Sequence, residues 1–281
     1  MTASESRRVA AFRRFAADAG DDGVVLVRVE IARGSTPRDR GAFMAVSRTD
    51  SFGTIGGGRL ELDAVAHARR ILEGHEPVPL ALPLGPAIGQ CCGGHVTLGF
   101  ERIGPDRSET VERLIEAEDR ADPEVWLFGG GHVSRALVRA LALLPLRTHV
   151  VESRAEELGR TPQGAARHLT PLPESLVANI APGSSVIVLT HDHALDFLIV
   201  SAALERDDLA EIGMIGSDTK RATFESQYKR EGGNAARLER LTCPIGLKIA
   251  DKRPEVIAAT VAAQIMASLA AYRAKPTGVP G

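Results

Sequence analysis

The amino-acid sequence predicts an α/β protein in two parts, a mixed strand-and-helix domain followed by a domain built on a parallel sheet. Three observations carry that expectation. The chain has 281 residues, enough for two domains of ordinary size. Its first part sets an alternating strand pattern among amphipathic helical patterns. From residue 124 the pattern becomes a succession of short, nearly continuous apolar runs and helix-length segments, as in parallel strands covered on both faces.

The elements follow in order. Val9, Phe12 and Phe15 lie at helical spacing within residues 6–18. "VVLVRVEIA" alternates Val25, Val27, Val29 and Ile31 against Leu26, Arg28 and Glu30, a strand. The turn "RGSTPRDRG" leads to a second strand at "AFMAV". "GTIGGGRLE" then opens a helix whose Leu60, Ala64, Ala68 and Ile71 share a face. A glycine-rich turn holding Cys91 and Cys92 follows, and "HVTLGFE" reads as a further strand. These elements make a first domain over residues 1–105. Residues 106–123, charged and bracketed by prolines, read as a linker with a short surface helix. Residues 124–281 form the second domain, in which "EVWLF", "RTHVVE", "SVIVL" and "EIGMI" supply strands and the segments between them supply helices.

Composition narrows the function classes. An apolar fraction of 44%, a charged fraction of 25% and a net charge of −2 are those of an ordinary globular protein, with no electrostatic case for nucleic acid or an anionic membrane. The first twenty residues lack an apolar signal core. In "VIAATVAAQIMASLAAY", Thr260, Gln264 and Ser268 lay a polar stripe on one face, which favours a half-buried helix over a membrane span. Three cysteines without a signal sequence point to a reducing cytoplasm.

The second domain carries a turn built for nucleotides. In "FGGGHVSRAL", Gly129 and Gly131 take the first two positions of a G-x-G-x-x-G pattern between strand and helix, His132 opens the helix, and Ser134 replaces the third glycine. Glu152 ends the next strand, where an acidic residue would accept from a ribose hydroxyl. This makes the domain Rossmann-like. Ser217 is placed to cap a helix, with Lys220 and Arg221 in its first turn either holding an anion or extending into solvent. His191, Asp192 and His193 stand at a strand's carboxyl end. They suit a metal or an anion, or alternatively Asp192 caps the following helix. Cys243, in "CPIG", reads as a buried, inert thiol.

In the first domain, Gly56, Gly57 and Gly58 offer consecutive amides for a phosphate, or simply a tight turn, while Glu61 fits the start of the following helix. Ser35 and Arg38 flank Pro37 with a hydroxyl and a guanidinium suited to an anion. Cys91 and Cys92 are adjacent, whereas zinc sites favour cysteines separated by a short loop. With Gly89, Gln90, Gly93 and Gly94 around them, they read as a soft ligand for a metal centre or a sulfur-transfer thiol. The alternative is two small buried residues in a turn.

At this point the motifs resemble a known family. "GSTPRDRGAFMAV", "GTIGGGRLE" and "LGPAIGQCCGGHV" are similar to the N-terminal domain of the xanthine dehydrogenase accessory proteins of the XdhC/CoxI type. "FGGGHVSRAL", "VVES", "VLTHDHALD", "IGMIGSDTKR" and "CPIGL" resemble its Rossmann-like C-terminal domain. The resemblance runs from about residue 33 to 265, and the doubled cysteine resembles the xanthine dehydrogenase branch. It implies a molybdenum cofactor (pyranopterin) chaperone of purine catabolism, acting with a cysteine desulfurase and apo-xanthine dehydrogenase. It further implies molybdenum contact through Cys91 or Cys92 and a maturation role in place of catalysis; self-association as a homodimer would suit such a carrier, which must shield an oxidisable ligand. Two other classes stay in view. One is an NAD(P)-dependent oxidoreductase with Glu152 on ribose and His191 or His193 as acid–base group. The other is a metal-dependent hydrolase using His191, Asp192 and His193.

Overall fold

The computed structural model describes residues 6–84 and 93–274, and divides into two compact units, residues 1–120 and 121–281. In the first unit, β1 (Val24–Arg33), β2 (Phe43–Val46), β3 (Ser51–Gly53), β4 (Leu80–Pro83) and β5 (His95–Ile103) form an antiparallel sheet of order β3-β2-β1-β5-β4. Alternation along β1 divides the core. Val25, Val27 and Val29 pack with Leu60, Ala64, Ala68 and Ile71 of α2 (Gly58–Leu72). Val24 and Leu26 face the opposite way, toward Val9 and Phe12 of α1 (Arg7–Ala19). The β1–β5 register shifts between Val29 and Ile31, and Ile31 is exposed.

The charged segment expected to be a linker is α3 (Glu109–Ala121), and it belongs to the first unit. Val111, Leu114 and Ile115 recur at i, i+3 and i+4 and close the core against α1. Arg13 reaches Glu112 at 2.7 Å, and Arg8 reaches Glu118 at 2.6 Å. The many charges on its outer face mask this short apolar stripe in the sequence.

The second unit is a parallel sheet of order β11-β10-β9-β6-β7-β8. Its strands are β6 (Glu124–Phe128), β7 (Arg147–Glu152), β8 (Ala165–Leu169), β9 (Ser185–Val188), β10 (Glu211–Met214) and β11 (Leu241–Thr242). Val125 and Leu127 of β6 pack under α4 (His132–Leu141) and α8 (Pro254–Arg273). Trp126 and Phe128 point to the opposite face, packed with residues of α6 (His193–Leu204) and α7 (Asp218–Arg230). The order reverses between β6 and β9, a topological switch point, so their carboxyl ends frame a crevice.

α8 is long and apolar enough, by length and composition, to cross a membrane, yet its Ala258, Val261, Ala262, Ile265 and Leu269 lie in the core. Its polar stripe faces inward. Gln264 accepts from the Gly246 amide at 2.7 Å, Ser268 donates to the buried Glu211, and Thr260 donates to the Ile257 carbonyl at 2.9 Å.

Candidate functional site

The glycine turn sits at the switch point. Gly129, directly after β6, has φ 121°, and a Cβ there would lie 2.4 Å from the Leu189 carbonyl oxygen. Only glycine lets the turn approach β9 so closely. The Gly129 amide donates to the Val151 carbonyl at 2.8 Å, and Arg135 donates to the Gly130 carbonyl at 2.8 Å and to Glu157 at 2.9 Å. Ser134 is 1% exposed, a small residue where helix and sheet are tightly packed, as the third position of the pattern requires. Above the turn lies a cavity of about 310 Å³, lined by Gly129–Gly131, His132, Arg154, Thr190 and His191. This is at the lower end of the size range for small-molecule sites. Of the predicted residues the structure brings Gly129, Gly131, His132 and His191 together here.

Glu152 behaves differently from the expectation that it meets a ribose. It is 4% exposed, and its own surroundings occupy it. One carboxylate oxygen accepts from the Gly130 amide at 2.8 Å and Arg154 Nη2 at 2.9 Å. The other accepts from the Ser153 amide at 2.9 Å, the Arg154 amide at 3.1 Å and Arg154 Nε at 3.0 Å. A carboxylate has about four lone-pair directions, so these donors fill it. Burial pushes its pKa up. The Arg154 side-chain bonds, the Gly130 and Arg154 amides and the Arg154 charge together outweigh burial and hold it at about 2. Glu152 therefore braces the turn, and Arg154 is left as the side chain facing the cavity from this strand end. Sequence reasoning missed Arg154, which stands two residues beyond Glu152 and just past the motif "VVES".

Lys220 and Arg221 do not form the anion site that their place suggests. Ser217 caps α7, accepting from the Lys220 amide at 3.2 Å. The Lys220 ammonium pairs with Asp196, whose side chain is wholly buried, and donates to the Ile215 carbonyl at 3.0 Å. Asp196 also accepts from the Thr190 amide at 2.9 Å and the Thr190 hydroxyl at 2.7 Å, which fixes one wall of the cavity. Arg221 is engaged by Glu225 at 2.7 Å and the Cys243 carbonyl at 3.2 Å. Asp196 closes the motif "VLTHDHALD", but nothing in the sequence pairs it with Lys220; only the fold carries α6 beside that residue.

His191, Asp192 and His193 are not gathered as a metal triad. Asp192 caps α6, accepting from the Ala194 amide at 2.8 Å and the Leu195 amide at 3.4 Å. No group of three or more His, Cys, Asp or Glu side chains is placed to hold a metal ion among the described residues. Cys243 is buried, and burial pushes its thiol pKa up, as an inert thiol requires.

In the first unit the amides around Gly56–Gly58 already hold an anion of the chain's own. Glu61 accepts from the amides of Gly57 at 3.0 Å and Ile55 at 3.2 Å, and from the Thr54 hydroxyl at 2.6 Å. The predicted phosphate nest is thereby filled by a carboxylate from the following helix. Ser35 and Gly93 form an isolated bridge, and a Cβ on Gly94 would meet the Ser35 carbonyl oxygen at 2.3 Å. The Leu84 amide donates to the Gly94 carbonyl at 2.7 Å, which ties the two flanks of the cysteine segment together. A Cβ on Gly56 would lie 2.6 Å from Pro37. The turn with Ser35 and Arg38, the glycine run and Gly93–Gly94 thus converge. Arg38 is exposed and has no ion-pair partner among the described residues. Gly89, Gln90, Cys91 and Cys92 lie outside the described residues.

Fold and turn define the class of protein: a small mixed α/β unit joined to a parallel-sheet unit of the dinucleotide-binding type. The model of the XdhC Rossmann domain matches residues 125–265, and that of the XdhC and CoxI family matches residues 17–81. The chain belongs to the XdhC and CoxI family. It is similar to YqeB of Escherichia coli (strain K12), described as an uncharacterized protein, with 26% identity over 252 residues covering 86% of this chain and 42% of that one. The chain thus spans about two fifths of the length of this curated relative. A crystal structure described as a xanthine dehydrogenase from Bacillus halodurans is similar with a TM-score of 0.73 and 18% identity over 98% of each chain, a likeness of fold.

Proposed function

We propose that this chain is a maturation factor for xanthine dehydrogenase. It carries the molybdenum cofactor, supports its sulfuration with a cysteine desulfurase that supplies the sulfur, and delivers it to the apo-enzyme. Membership of the XdhC and CoxI family supports the client. The observation that carries the reading is the Ser35–Gly93 bridge, which brings the "GSTPR" turn against the flank of the cysteine segment. There the exposed Ser35 hydroxyl and the Arg38 guanidinium suit the cofactor phosphate, while Cys91 or Cys92 supplies a soft thiolate for molybdenum. With Glu61 seated on the Gly57 amide, the phosphate contact falls to Ser35 and Arg38. The carrier works as a homodimer, which sedimentation checks directly.

Anaerobic titration with isolated molybdenum cofactor tests this reading. The unaltered chain takes up roughly one cofactor per chain. Either Cys91→Ala or Cys92→Ala weakens uptake by at least about tenfold, and Arg38→Ala weakens it less, each with an unchanged circular dichroism spectrum. Failure of the unaltered chain to bind would overturn the carrier role.

A further inference from the structure

The cavity of the second unit has a chemistry of its own, separate from the cysteine segment. Gly131 is the first sign of a ligand. Its φ of −70° is open to any residue, and a Cβ built on it meets no atom within 4 Å. The fold therefore explains Gly129, which a side chain would drive into β9, but gives no reason for glycine at 131. A bare backbone lining a cavity at the start of α4, whose Gly131 cap leaves the first amides without a side-chain partner, fits the close approach of a diphosphate.

The second sign is what stands where the ribose would lie. An unphosphorylated ribose needs an acceptor for its 2′-hydroxyl, and the carboxylate in that position, Glu152, is filled by Gly130, Ser153 and Arg154. Arg154 instead presents a guanidinium to the cavity, with its side chain 42% exposed and its plane fixed through Nε and Nη2 by Glu152. A planar fork held this way offers its remaining N–H groups to a phosphate.

We propose that the cavity binds a pyridine dinucleotide carrying a 2′-phosphate, NADP(H), in preference to NAD(H). Gly131 admits the diphosphate, and Arg154 holds the 2′-phosphate. The site stands whether or not the first unit carries the molybdenum cofactor.

Calorimetric titration of the full chain with NADPH and with NADH is the test. NADPH binds at one site per chain and NADH binds at least about tenfold more weakly. Arg154→Gln lowers the affinity for NADPH by about tenfold and does not lower that for NADH. Gly131→Val, whose Cβ meets no atom of the chain within 4 Å, removes binding of both while the melting temperature holds. Equal affinity for the two dinucleotides, binding of neither, or NADPH binding undisturbed by Gly131→Val would each overturn the proposal.

Discussion

Replacing Glu152 by Gln keeps the shape of the side chain but removes the charge on which Gly130, Ser153 and Arg154 converge. Leaving a buried donor without its acceptor costs about 1–3 kcal/mol, and Glu152→Gln lowers unfolding stability by that order in a urea titration. The pH dependence has a definite sign. The folded carboxyl titrates at about 2 against an ordinary value of 4.5, so its contribution is full above 4.5 and is lost as pH falls toward 2. The urea midpoint of the unaltered chain falls across that window, and the variant loses part of the fall. At this scale the sequence was partly legible. It marked Glu152 as special from its distance to the glycine turn, but not what it would bond. Lys220 shows the same limit, because its partner Asp196 is 24 residues away and only folding makes them neighbours. Ser217 was fully legible, since a helix cap is set by the residues next to it.

Among the elements, α3 was the one misjudged, and it gives a clear test. Ile115 is wholly buried between α3 and the first sheet, and Ile115→Ala costs about 2–5 kcal/mol, read as a lower melting midpoint in circular dichroism. A surface linker would lose almost nothing. The edge strands β4 and β8 were also illegible, because four or five residues at a sheet margin carry little apolar alternation. The strands β6, β7 and β8 also bring together an aromatic row that no motif signalled. Trp126 stacks on His149 at 4.2 Å between centroids, and one ring nitrogen of the pair His149 Nδ1 and His168 Nε2 donates to the other across 3.1 Å. Burial drives the His149 pKa down, and His168 and Arg147 add to this against the opposing pull of Glu124, leaving it at about 4. The unfolded chain binds this proton near 6.5, so stability from His149 is present above 6.5 and lost as pH falls toward 4. Trp126 emission during urea unfolding follows this decline, and His149→Gln flattens it.

For the whole molecule, the change of hydrophobic pattern at residue 124 was enough to predict a mixed unit followed by a parallel-sheet unit, because periodicity is summed over many residues and survives local errors. The two units have cores with no residue in common, and the single tryptophan, Trp126, belongs to the second. Leu60→Ala in the first core lowers the circular dichroism midpoint by removing a wholly buried side chain. The tie between Leu84 and Gly94, together with the Ser35–Gly93 bridge, has an evolutionary consequence. Any side chain at 94 would collide with the Ser35 carbonyl, so a lineage cannot alter that position without rerouting the 33–35 turn. Position 94 and the 33–35 turn are thereby bound to change together or not at all.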